Sequence, residues 1–371
     1  MATPATLMLH LTGRCNLECR HCYMDGSPRR RETLPFDWVE QALRAAPGLG
    51  IGTLFLTGGE PLLYARFADV ARVAAEVEGL ATTVCTNATV VRRRDAELMA
   101  RLRCDVHVSI DGMADYHDGF RAMDGAFRKA ERGVGLLVAA GVPVTIVTTI
   151  SRDNAAQFEW IADWALRAGA ERLLVQPLLD LGRGAAISDQ QLSNEQLNRL
   201  ILQTSDFGNA SAGRIASSII GGSKRFLLAH PCAAYVCNGG GCHRGVSAEI
   251  KKVVVREDGT ILPEATNLDH RYAIGNVADG SLAELVTRYF PDGYAAFDRL
   301  CRTTYDQFVP DWPAPIVPWD QLIALRSRTA LPELGGPAPE RGCGGKAPGA
   351  IWMTLLSPAS APSPRRPTRR T

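Results

Sequence analysis

The sequence predicts an α/β chain: a partial (β/α)6 TIM-type barrel with a smaller C-terminal α+β domain. Three observations predict it. Six apolar runs rich in β-formers alternate with six segments of helical periodicity across the first two hundred residues. The alternation stops at a Gly/Ser/Ala-rich stretch, and a hairpin pattern follows. A length of 371 residues favours two domains over one.

The expected strands are Leu7–Thr12, Gly52–Thr57, Thr82–Thr86, Asp105–Ile110, Val142–Ile150 and Arg172–Gln176. The expected helices are Phe36–Ala46, Tyr64–Glu78, Asp95–Leu102, Gly125–Ala140, Ala155–Ala168 and Glu195–Thr204. In the fourth of these, Phe127, Ala130, Val134, Leu137 and Val138 recur at three- and four-residue steps and form one apolar face. Six units fall short of the eight that close a TIM barrel. The core is therefore expected over residues 1–205, with a linker over 206–230. The second region, 231–345, contains two short strands, Ala248–Val255 and Thr260–Leu262, joined by the turn former Asp258-Gly259. A short helix near Ser281–Arg288 and a Pro/Trp-dense stretch at Phe308–Trp319 follow. Residues 346–371, rich in Pro and Arg, cannot bury enough apolar surface and are expected to be a disordered tail.

With 46% hydrophobic and 22% charged residues, the composition excludes a fully disordered, collagenous or coiled-coil chain. The last fifteen residues carry four Arg and no acid, and removing those charges turns the chain's +2 into −2. No electrostatic footprint for nucleic acid remains. No apolar run approaches the roughly 20 residues of a membrane span, and Met1–Leu11 lacks a signal-peptide pattern. A cytoplasmic location is expected, where the ten cysteines stay reduced and their clustering points to metal ligation rather than disulfides.

The first cluster follows the first strand: Thr12-Gly-Arg-Cys15-Asn-Leu-Glu-Cys19-Arg-His-Cys22-Tyr23. Three thiolates at spacings of four and three residues can converge on one face of an iron–sulfur cube and leave one iron open to a small molecule. A structural zinc site would need a fourth ligand nearby, for which only His10 or His21 is available. This loop, after the first strand of a six-unit α/β sheet, resembles that of the radical S-adenosylmethionine (radical SAM) superfamily. The resemblance implies that Cys15, Cys19 and Cys22 hold a 4Fe-4S cluster whose open iron binds the methionine end of SAM. Reductive cleavage of SAM then yields a 5′-deoxyadenosyl radical that abstracts a substrate hydrogen.

Further strand ends fit the same resemblance. Thr57-Gly58-Gly59-Glu60-Pro61 is similar to the family's Gly-Gly-Glu motif at the SAM amino group; adjacent glycines allow close backbone approach, and Glu60 can accept from an ammonium. Cys85-Thr86-Asn87 and Ser109-Ile110-Asp111-Gly112 resemble the family's polar strand ends. Tyr23, Asn87 and Ser109 are implied as cofactor contacts, and Arg121 as the partner of the SAM carboxylate. Thr148, Thr149 and Gln176-Pro177 are placed towards the adenosine, whereas Cys85 and Cys104 are expected to be plain core residues.

The stretch Cys232-Ala-Ala-Tyr-Val-Cys237-Asn-Gly-Gly-Gly-Cys242, the Asp258-Gly259 turn and Gly275-Asn276-Val277 resemble a SPASM or twitch domain, which binds auxiliary iron–sulfur clusters. It is a degenerate copy: Glu264 stands where the pattern has Cys after Pro263, and only Cys301 and Cys343 follow. At most one auxiliary 4Fe-4S cluster is implied, on Cys232, Cys237 and Cys242 with Cys343, Cys301 or Glu264 as fourth ligand. A leftover Cys is also a candidate hydrogen-atom donor.

The stretch from Ser109 to Gly125-Ala-Phe127, with Gly182-Arg183, most resembles the peptide-maturase branch. The leading expectation is radical modification of a ribosomally made peptide by cross-linking, epimerisation or oxidation, with a flavodoxin or ferredoxin-type reductant. Epimerisation or dehydrogenation of a small natural-product precursor such as an aminoglycoside is the second. A non-catalytic iron–sulfur or zinc scaffold is the third.

Overall fold

The computed structural model describes residues 5–234 and 250–329. Six parallel strands appear where the apolar runs stand: β1 Ala5–His10, β2 Ile51–Thr57, β3 Ala81–Thr86, β4 Asp105–Ser109, β5 Val144–Ile150 and β6 Arg172–Pro177. The helices between them are α1 Phe36–Ala45, α2 Phe67–Glu76, α3 Arg93–Arg101, α4 Ala114–Arg121, α5 Ala126–Ala139 and α6 Phe158–Arg167, followed by α7 Asn194–Ala210. The extra helix, α4, covers the Tyr116–Arg121 stretch, where a short apolar face and Gly119 give little helical signal.

Alternation along each strand sorts its residues between two faces. Leu7, Leu9, Leu54, Leu56, Val84, Val106, Val108, Ile146, Leu173 and Val175 point outward under the helices, all essentially without exposure. Each contributes roughly 1.5–3 kcal/mol through burial of its side chain. Half-buried polar groups occupy the inner face: Cys85 opposite His107, and Thr149 opposite Gln176. The outward row closes the core, and the inner row is left to line a site.

The segment expected to be a linker is part of the fold. Residues 206–210 complete α7, Ala216–Ile219 forms β7 parallel to β6, and β8 Gly222–Ser223 and α8 Lys224–Ala229 follow. Its small residues serve packing: a Cβ on Gly208 would stand 2.6 Å from Ser217 Oγ, which donates to Thr204 O at 2.7 Å. Gly and Ser there let α7 lie directly on β7.

The second region also joins the sheet. The expected hairpin forms as β9 Lys252–Val255 and β10 Thr260–Pro263, with Gly259 at φ +86° in its turn. β9 pairs in parallel with β1, and β11 Gly275–Asn276 extends the edge, so the strand order is β11-β10-β9-β1-β2-β3-β4-β5-β6-β7. Ser281 caps α9 Leu282–Asp292 reciprocally with Glu284. Then come α10 Tyr294–Phe308, β12 Ile316–Val317 beside β8, and α11 Trp319–Ser327. No helix among the described residues is long and apolar enough to cross a membrane.

Candidate functional site

The loop between β1 and α1 carries the three expected thiols. Cys15 and Cys19 are buried beside Leu17, with the half-buried Cys22 and Met123 packed against them, and none is in a disulfide. Three nitrogens face the sulfurs: Leu17 N at 3.4 Å and Asn87 Nδ2 at 3.8 Å from Cys15 Sγ, and Arg121 Nη1 at 3.9 Å from Cys19 Sγ. Burial, then Glu60 and the neighbouring thiols, pushes Cys15 up to about 12; burial also raises Cys19. Two desolvated sulfurs and a half-buried third, close enough to repel one another as thiolates and flanked by N–H donors, are a donor set that a cationic cluster satisfies. No three His, Cys, Asp or Glu side chains among the described residues are set to hold a single metal ion. The donor set fits a 4Fe-4S group.

The expected Gly-Gly pair presses on this loop. Gly59 N donates to Thr12 O at 2.7 Å and Glu60 N to Arg14 O at 2.9 Å. A Cβ at Gly59 would fall 2.4 Å from Arg14 O; one at Gly58, whose φ is +132°, would fall 2.5 Å from Thr12 O. What the glycine backbone approaches closely here is the cysteine loop.

Glu60 is fully buried, and its carboxylate is highly ordered. Oε1 accepts from Leu62 N at 3.2 Å and Thr86 Oγ1 at 2.8 Å, and Oε2 accepts from Asn87 N at 2.9 Å. A carboxylate has about four acceptor positions, so one remains on Oε2 for another donor. Burial outweighs these bonds and raises the carboxyl to about 7. Asn87 in turn bonds Asn16 Oδ1 at 3.1 Å, which ties the end of β3 to the cysteine loop.

Arg121, at the C-terminal end of α4, donates from Nε to Asp111 Oδ2 at 2.7 Å, so one of its five donors is already engaged. Burial alone would raise Asp111, but Arg121, with His21 and His117, holds it down at about 2. Its other oxygen accepts from Thr149 N at 3.0 Å, and its backbone N–H donates to His117 Nδ1 at 3.1 Å. Asp111 thus joins the ends of β4 and β5 to α4. Its bond to Arg121 joins an acid and an Arg ten positions apart, both at strand or helix ends, a spacing visible in the sequence. His21 stacks on Phe120, ring centroids 4.1 Å apart, and burial lowers it to about 3.

Other expected contacts fall as follows. Tyr23 packs edge-on to His10 with its hydroxyl towards Thr57, and burial raises its phenol. Ser109 lies half-buried at the inner face of β4. Thr149 and Gln176 share that face in register, but Thr148 points into the outer core. Cys104 is a core residue as expected, whereas Cys85 is half-buried on the inner face. Glu264, at φ +60°, accepts from the backbone N–H of Lys251 and, at 3.3 Å, of Lys252. Cys301 is buried in the main core. Cys232 lies in the turn Pro231–Ala233; its side chain, with Cys237, Cys242 and Cys343, falls outside the described residues.

Residues 9–165 match the family model described as the Radical SAM superfamily. The chain carries a radical SAM domain. An AdoMet-dependent heme synthase of Nitratidesulfovibrio vulgaris is 32% identical over 205 residues, 53% of this chain and 54% of that protein. The sporulation killing factor maturation protein SkfB of Bacillus subtilis is 30% identical over 182 residues, 48% of this chain and 44% of SkfB. The chain spans about half the length of the curated relatives it matches. Streptococcus suis SuiB bound to S-adenosylmethionine shares the fold of the radical SAM domain and beyond, with a TM-score of 0.64 at 17% identity over 81% of this chain and 68% of SuiB. SuiB bound to its precursor peptide SuiA aligns with a TM-score of 0.58 at 18% identity, over 71% and 60% of the two chains.

Proposed function

We propose that this chain is a radical SAM enzyme that modifies a ribosomally made peptide. The observation that carries the radical chemistry is the cysteine loop: three thiols, none cross-linked, on one loop at the C-terminal edge of a parallel sheet whose inner face is polar. When bound, the 4Fe-4S group supplies one electron to SAM and so the 5′-deoxyadenosyl radical that takes the substrate hydrogen. The chain's own residues bind and orient. Cys15, Cys19 and Cys22 hold the group, and Glu60 Oε2 offers its remaining acceptor position to the SAM ammonium. Arg121 offers donors not engaged by Asp111 to its carboxylate, Ser109 contacts the methionyl or ribose part, and Asn87 and Tyr23 are further cofactor contacts.

The likeness to SkfB, a maturation protein, and to the fold of SuiB, solved with a precursor peptide, supports a peptide substrate. The likeness to heme synthases favours, as second reading, a small-molecule substrate. An auxiliary cluster on Cys232, Cys237, Cys242 and Cys343, and a flavodoxin or ferredoxin-type reductant, complete the proposal. Glu264 is engaged by two backbone N–H groups and is left out of that ligand set. Anaerobically reconstituted protein with dithionite is expected to release 5′-deoxyadenosine from SAM, and Cys19→Ala to abolish the release. Equal release by both proteins, or none by either, sinks the reading. Mass spectrometry of a precursor peptide incubated in deuterated water separates epimerisation, which adds one deuterium, from oxidation or cross-linking, which removes two hydrogens.

A further inference from the structure

After β6 the chain turns back over the barrel mouth, and Gly182-Arg183 meets the cysteine loop. Three hydrogen bonds join them. Arg183 N donates to Cys22 O at 2.9 Å, Nε to Cys19 O at 2.8 Å, and Nη2 to Gly26 O at 2.9 Å. Nη1 stands 4.0 Å from Asp25 Oδ1. One side chain and its own amide thus take hold of the loop at three points, on both sides of Cys22.

The neighbouring residue shows how tight the contact is. Gly182 has φ +55°, and a Cβ there would lie 2.5 Å from Cys22 O and 2.6 Å from Tyr23 C. Only glycine lets the two backbones come this close.

We propose that Arg183 is a positioning residue for the cluster: it fixes the Cys19–Gly26 stretch so that three sulfurs keep their spacing, and places a positive charge on the Cys19 carbonyl. The proposal rests on the radical SAM reading of the loop. Carbonyls of a ligand-bearing loop that are held by a rigid fork cannot rotate their cysteines away, whereas a loop held only at its ends can. Removing the partner of a metal ligand costs about 10- to 100-fold in metal affinity.

The test compares wild type, Arg183→Ala, Arg183→Lys and Gly182→Ala after anaerobic reconstitution, by the rate of iron loss to an excess of an iron chelator. It adds the midpoint potential of the cluster from EPR-monitored titration and the melting temperature of iron-free protein. Arg183→Ala and Gly182→Ala are expected to lose iron about 10- to 100-fold faster than wild type, more than any fall in the melting temperature of the iron-free protein accounts for. Arg183→Lys, which keeps the charge but cannot reach two carbonyls, is expected to lose iron at an intermediate rate. Its potential should stay near wild type, whereas that of Arg183→Ala moves lower. Wild-type iron retention and potential in Arg183→Ala overturn the proposal. If Arg183→Ala does not fold, Arg183→Lys and Gly182→Ala decide by the same measures, and wild-type retention in both overturns it. Wild type that retains no iron on the triad overturns the radical SAM reading itself, a result distinct from any difference among the variants.

Discussion

Glu60 holds three hydrogen bonds on a fully buried carboxylate whose pKa stands at about 7. Because its folded pKa lies above the ordinary carboxyl value of 4.5, the folded chain favours the protonated form, and ionising Glu60 costs stability as pH rises from that value through about 7. An arriving ammonium offsets the penalty only when Glu60 is ionised. SAM affinity, measured by calorimetry on reconstituted protein, is therefore expected to strengthen between pH 6 and pH 8. Glu60→Gln is expected to weaken binding about tenfold and flatten that slope, the size of one lost charge-assisted bond. Asp111 behaves in the opposite sense. Its contribution is present above 3.8 and is lost as pH falls towards about 2. Asp111→Asn leaves the Arg121 guanidinium buried without its counter-ion, and denaturant unfolding should show a loss of about 3 kcal/mol.

At the scale of elements, the six barrel strands and most helices were legible because burial on one face imposes a period that the sequence shows. Others, α4 and β7 among them, were not. In β7, Ala216-Ser-Ser-Ile carries too little apolar area to read as a strand, and it forms because β6 offers its free edge and α7 lies close above. The same smallness makes it testable. Gly208→Ala is expected to destabilise the chain by about 1–3 kcal/mol by crowding Ser217, and the double variant with Ser217→Ala should recover part of that in thermal unfolding. In the site, the cysteines and the Gly-Gly-Glu run were legible as local motifs. The roles of Arg183 and Glu257 were not, because each acts on a partner distant in sequence: Arg183 on Cys19, and Glu257 on Arg30, 227 positions away.

For the whole molecule, the second region is structurally continuous with the first. Glu257 holds Arg30 Nη2 at 2.8 Å, Asn267 donates to Tyr23 O at 2.9 Å, and Trp38 donates to Gly280 O at 2.9 Å. Two of those three contacts fall on the cysteine-bearing loop or its flank. A chain ending at residue 230 is therefore expected to lose most of the iron that the full chain retains on its triad, read by iron assay after gel filtration. The full chain with Cys232, Cys237 and Cys242 changed to Ala should keep about four irons.

The parallel pairing of β9 with β1 has a consequence for biogenesis. Once synthesised, β1 waits for a partner 246 positions downstream, since Thr6 pairs with Lys252. Until then one side of β1 is an open edge, a template for association with other chains, and long-range pairing of this kind closes slowly. The thiols on the adjoining loop are correspondingly exposed to oxidants during synthesis. Completion of the sheet, and with it the burial of the cysteine loop, is thus a late event in synthesis.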